Sequence, residues 1–105
     1  MERILSLTFH AMPEILSRWE NYAETELLVL VDNLMDVDKY ILSEVYSEMI
    51  TEGKNMNLLL VFDSEQIRNQ FIESELVNIT ERIASEFGDQ VMVFETLLNP
   101  KKIRL

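Results

Sequence analysis

The chain has 105 residues, 48% of them hydrophobic and 27% charged, which suffices for one hydrophobic core and leaves no room for two domains. Its formal charge of -10, from nine Lys and Arg against 19 Asp and Glu, repels phosphate backbones and anionic bilayers, so neither nucleic acid nor membrane is an expected partner. The lack of Cys excludes a disulfide framework, thiolate catalysis and Cys-ligated metal; with no secretory leader pattern and no membrane-length apolar run, the expectation is a cytoplasmic single domain over residues 1–105.

Residues 3–10 alternate, with Leu5, Leu7 and Phe9 on one face and Ile4, Ser6, Thr8 and His10 on the other, as a half-buried strand requires. Pro13 and Glu14 suit a first helical turn, Pro because its missing amide would be unbonded there and Glu because it meets the positive end of the dipole. Ile15, Leu16, Trp19, Ala23, Leu27 and Leu30 then form an apolar stripe that predicts a helix over 13–31. The run 27–31 is apolar on every side, and periodicity alone leaves a short buried strand open there.

Residues 32–38 read as a polar turn, and 39–50 as a second strand, with Tyr40, Leu42, Glu44, Tyr46 and Glu48 opposite Ile41, Ser43, Val45, Ser47 and Met49. A loop of hairpin length at 51–55, containing Gly53, leads to a third and more buried strand at 56–62. Asp63 with Gln66 resembles a capping box, and Ile72, Leu76, Ile79, Ile83 and Phe87 stripe a second helix that ends before Gly88. Ile67 and Phe71 lie off that stripe, so its first turns are expected to meet another neighbour or the helix to kink near Glu73. A fourth strand at 91–98 is stopped by Pro100.

Strand, helix, strand, strand, helix, strand is the order of an α+β, ferredoxin-like βαββαβ sandwich, a four-stranded antiparallel sheet with two helices on one face. If Leu5, Leu7 and Phe9 meet the helices, the other face receives Ile4, Ser6, Thr8 and His10, and in either register every other strand adds apolar residues. The expectation is an uncovered apolar patch, and a homodimer formed through that face about a two-fold axis.

The stretch Gly88-Asp89-Gln90-Val91-Met92-Val93-Phe94-Glu95-Thr96-Leu97-Leu98, the segment 57–64 and the pair Leu16 and Trp19 resemble a family of bacterial proteins, domain of unknown function 4286. The resemblance spans nearly the whole chain and implies a ferredoxin-like fold related to dimeric α/β barrels, with no activity attached. Glu24-Thr25-Glu26 stands where the family pattern has His-Ile-Pro, and Glu95 where an Arg commonly precedes the Thr of the last strand.

Candidate chemistry is sparse. His10 is the only histidine, and as a general base it would need an orienting partner. Thr8, His10, Glu44 and Tyr46 are the candidates for lining a cleft, provided that strand register turns them to one side. Asp32, Asp36 and Asp38 lack the spacing of a calcium loop, and Trp19, Tyr22 and the six Met residues read as core packing. No catalytic, cofactor-binding or metal-binding motif is present, so no cofactor and no metal are expected. The favoured reading is a dimeric module without catalytic activity that binds a protein or a small hydrophobic ligand. The alternative is a cofactor-independent enzyme of the dimeric α/β-barrel kind acting on a small hydrophobic substrate, with His10 or Tyr46 moving protons.

Overall fold

The computed structural model describes residues 1–48 and 52–104. Its strands are β1 (Arg3–Ala11), β2 (Lys39–Val45), β3 (Lys54–Phe62) and β4 (Val91–Leu98), joined in one antiparallel sheet of order β2-β3-β1-β4. One helical arm lies between β1 and β2, comprising α1 (Leu16–Tyr22), a π turn (Ala23–Leu27) and α2 (Leu28–Asp32). A second, α3 (Glu65–Glu73) followed by α4 (Glu75–Phe87), lies between β3 and β4. This is the expected ferredoxin-like βαββαβ arrangement. Among the described residues no helix is long and apolar enough to cross a membrane.

The sheet's helix-covered face follows from strict alternation. Leu5, Leu7, Phe9 and Ala11 of β1 and Met56, Leu58, Leu60 and Phe62 of β3 are all buried, and the register sets Leu5 against Leu60 and Leu7 against Leu58. From the first arm, Trp19, Ala23, Leu27 and Val31 recur every fourth residue and are buried together. In a regular α-helix each such step drifts by about 40°, which would carry Val31 away from the sheet. The underwound π turn at Ala23–Leu27 takes up part of that drift and keeps the row on the core. The 27–31 segment is therefore helix, with Val31 buried and Leu30 only half-buried.

Ser64, next to the expected Asp63, caps α3: its Oγ accepts from the amide of Ile67 at 3.2 Å. The kink expected near Glu73 falls at Ser74, whose φ of -123° and ψ of -81° separate α3 from α4. Phe71 of α3 packs on Phe62 at 5.1 Å between centroids, while Leu76, Ile79, Ile83 and Phe87 of α4 join the core as a separate row.

Three strand boundaries differ from the expected ones, β1 by one residue because Ala11 still pairs with Lys54 and Val91. β3 starts earlier, because Lys54 and Asn55 already pair with Ala11 and His10. β2 ends at Val45, paired with Asn55, so Tyr46 and Ser47 leave the ladder. The remaining stretch of the expected strand, Met49 and Ile50, lies outside the described residues, as does Thr51 of the expected loop.

The uncovered face carries the expected Ile4, Ser6, Thr8 and His10, and it is amphipathic, its apolar residues interrupted by polar ones. From β2 to β4 its rows run Lys39, Val61, Ile4, Leu98; then Ile41, Leu59, Ser6, Thr96; then Ser43, Asn57, Thr8, Phe94; then Val45, Asn55, His10, Met92. Apart from Lys39 one end is apolar, the edges mix apolar residues with Ser43 and Thr96, and the middle is polar. Asn57 knits that middle, its Nδ2 donating to Ser6 Oγ at 2.8 Å and to Thr8 Oγ1 and the Leu7 carbonyl at 3.3 Å.

Candidate functional site

The hairpin end of the sheet is where polar side chains, open space and special backbone coincide. Gly53 returns the chain from β2 to β3 with φ +74°, and a Cβ there would stand 2.1 Å from the Ala11 carbonyl oxygen and 3.2 Å from His10 Nε2. Only glycine lets β3 enter this close to the end of β1. The contact sets His10 beside the hairpin, where its Nδ1 lies 2.6 Å from Asn55 Oδ1. An amide oxygen can only accept, so in this contact it is His10 Nδ1 that donates.

Two cavities open here. The outer one, about 380 Å³, is lined by Glu44, Val45, Tyr46, Ser47, Gly53, Lys54 and Asn55. The inner one, about 10 Å³, is lined by Leu16, Trp19, Glu20, Glu44, Lys54, Asn55 and Met56. They share Glu44, Lys54 and Asn55. Trp19 comes to the inner cavity from a packed aromatic cluster, with Phe9 at 5.1 Å, Phe87 edge-on at 5.7 Å and Tyr22 stacked at 5.9 Å. Its ring is buried, and among the described residues its Nε1 has no hydrogen-bond partner. An unpaired buried donor of this kind costs about 1–3 kcal/mol. Among the described residues no salt bridge engages Glu20, Glu44 or Lys54.

The four residues singled out in sequence do not share one face. Thr8 and His10 lie on the uncovered face, whereas Glu44 pairs with buried Met56 and projects on the helix side. The single cleft expected from all four is thus divided by the sheet: Glu44 and Tyr46 line the outer cavity, His10 reaches its rim through Asn55, and Thr8 belongs to the Asn57 network. Tyr46 is 88% exposed, its hydroxyl donating to Glu48 at 3.4 Å. Sequence reasoning missed Asn55, Asn57 and Lys54, although two Asn at alternate positions of a strand, where Asn is disfavoured, were a signal. Among the described residues no three His, Cys, Asp or Glu side chains cluster as metal ligands.

The family described as a domain of unknown function (DUF4286) matches residues 2–101. The chain belongs to this family. No curated protein matches it significantly. Solved structures similar to this DUF4286 chain share its fold at low identity. An ethyl tert-butyl ether d (ethd) family protein from Bacillus halodurans superposes with a TM-score of 0.66 at 10% identity, covering 90% of this chain and 96% of that one. A dimeric ferredoxin-like protein from an uncultured marine organism gives 0.65 at 13% identity, over 100% and 99% of the two chains. A dimeric ferredoxin-like protein of unknown function from Thermobifida fusca gives 0.61 at 9% identity, over 92% of each.

Proposed function

We propose that this DUF4286 protein is a dimeric binding module, two copies meeting through the uncovered faces of their sheets, with ligand or protein binding as its role and no catalysis of its own. The observation that carries this reading is the exposure of apolar side chains where the fold has no further layer. Ile41, Val45, Met92, Phe94 and Leu98 all lie exposed on that face, and β4 is an edge strand. Burial along β4 fades from Val91 to an exposed Leu97, so its outer half lacks helical cover as well. Apolar residues on an open strand edge invite pairing with another chain. The dimeric ferredoxin-like proteins of similar fold support the same arrangement. A two-fold axis would bring the Ser6, Thr8, Asn55 and Asn57 groups of two copies toward each other, and these could bond across the interface or to a molecule held there. A native mass spectrum of the purified protein tests the association, with a two-chain species expected; a one-chain species alone would refute it.

One observation favours the enzymatic alternative, a cofactor-independent catalyst of the dimeric α/β-barrel kind: His10 has in Asn55 the orienting partner that a general base needs. Turnover of a candidate substrate that survives His10→Ala unchanged would remove His10 from that scheme.

A further inference from the structure

The uncovered face grades in polarity along its strands. Its two central strands pass from Val61 and Ile4 at one end, through Leu59 and Ser6, to Asn57 and Thr8 and then Asn55 and His10 at the hairpin end. None of the side chains in its rows is a carboxylate, so two chains that each carry -10 meet here with the least local repulsion. Sheets packed face to face about a two-fold axis centred on them have two aligned arrangements. With the axis across the strands, one end meets the other, and Val61 lies on the partner's Asn55 and Ile4 on the partner's His10. With the axis along the strands, each row meets its own copy reversed. Val61 then lies on the partner's Ile4, Asn57 on the partner's Thr8 and Val45 on the partner's Met92. Only this second arrangement sets apolar against apolar and polar against polar, which avoids burying donors against hydrocarbon.

The same arrangement lays β4 across β2, and the corners that it joins carry opposite charge. Where β4 ends, Arg68 holds the Leu98 carbonyl and Asn99, and beyond them Lys101, Lys102 and Arg104 stand exposed around Ile103. These are three of the chain's nine cations, and residues 99–105 include no acid. Where β2 starts, in the same row, the Asp38 amide donates to the Val61 carbonyl at 2.9 Å, and the turn before it exposes Asp36 and Met35, the latter at 98%. Asp38 itself is exposed and reaches Lys39 only at 4.0 Å. Among the described residues no salt bridge engages Asp36, Lys101, Lys102 or Arg104. Within one chain the two corners stand on opposite edges of the sheet, about 14 Å apart by strand spacing alone.

We propose that two copies pair about an axis running along the strands, and that the basic segment 101–104 of each lies on the acidic turn 33–38 of the other, with Ile103 beside the partner's Met35. Opposed charges at both corners fix the register and penalise the other arrangement. This rests on the dimeric reading and deepens it by naming the surfaces that meet.

Reversing the turn, with Asp36→Lys and Asp38→Lys together, is expected to raise the dimer dissociation constant at least about tenfold in low-salt sedimentation, an effect that added salt shrinks. Net charge alone predicts the opposite, because these changes relieve the repulsion between two acidic chains. Adding Lys101→Glu, Lys102→Glu and Arg104→Glu to the same chain is expected to restore pairing. All of these positions are exposed, so each variant should keep the parent's urea midpoint. The chain has no Cys, and Val45→Cys with Met92→Cys tests the axis itself: on opposite edges of one sheet they are too far apart to bridge within a chain, and oxidation is expected to join two chains. A turn reversal that leaves pairing unchanged or tightens it overturns the proposal, as does a combined variant that pairs no better than the turn-reversed one. A parent that pairs while its Val45→Cys, Met92→Cys variant forms no cross-link overturns the axis and leaves the dimeric reading standing; a single-chain parent overturns both.

Discussion

Among the described residues Arg68 is the one charged side chain buried in the core, at 3% exposure, and no carboxylate forms a salt bridge with it there. Its Nη1 donates instead to the carbonyls of Ile4 and Leu98 at 3.1 and 3.2 Å and to Asn99 Oδ1 at 2.9 Å, fastening α3 to the sheet where β1 starts and β4 ends. All three bonds leave this one terminal nitrogen, and among the described residues Nε has no partner. Arg68→Met leaves those oxygens without a donor and should cost about 2 kcal/mol, read as a lower urea midpoint. Tyr22 reports a different balance. Burial first, then the Glu26 carboxylate and that of Glu86, hold its phenol above the ordinary 10.0, with Arg82 pulling the other way. The folded protein therefore keeps this proton to a higher pH than the unfolded chain does. The resulting stabilisation is complete below pH 10 and is lost as pH rises from there through the folded value. Tyr22→Phe should accordingly lose stability less steeply than the parent above pH 10 in alkaline unfolding curves.

Among the elements, the β2–β3 hairpin has the least tolerance for change. Gly53→Ala combines a positive φ with a Cβ driven into the Ala11 carbonyl, a backbone atom that cannot swing aside, and should cost about 2 kcal/mol or more. Ser64→Ala removes the α3 cap and should cost about 1 kcal/mol; both are measurable by urea denaturation. Much of this architecture was legible in the residues. β4 spans the expected 91–98 because alternation and Pro100 mark both ends, and the break at Ser74 follows from Ile67 and Phe71 lying off the α4 stripe. The hairpin was less legible. Alternation continues past Val45 in sequence, yet pairing stops there, and the site depends on which residue opposes which. Glu44 and His10 fall on opposite faces because Glu44 pairs with Met56 and His10 with Asn55, a matter of register that no local pattern encodes. The Trp19 indole, unpaired among the described residues, was hidden for another reason: an apolar stripe predicts burial of a ring but not the satisfaction of its N–H.

At the scale of the molecule, two helical arms and a four-stranded sheet make two layers, and the second face of the sheet is left to solvent. Its polar middle distinguishes it from a simple hydrophobic patch. Asn57 already donates to the Ser6 and Thr8 hydroxyls, whose own O–H groups can then donate across the interface, while Ile41, Phe94 and Leu98 supply apolar contact around them. Phe94 is 52% exposed and lies at one edge of this face, where a charge would be trapped in the interface but harmless to the fold of one chain. Sedimentation equilibrium at micromolar concentration, on the parent and on Phe94→Lys, is the most direct test. Twice the mass of one chain for the parent and a single-chain mass for a folded Phe94→Lys is the predicted result. A parent that sediments as one chain, or a variant that remains paired as tightly as the parent, would contradict association through this face.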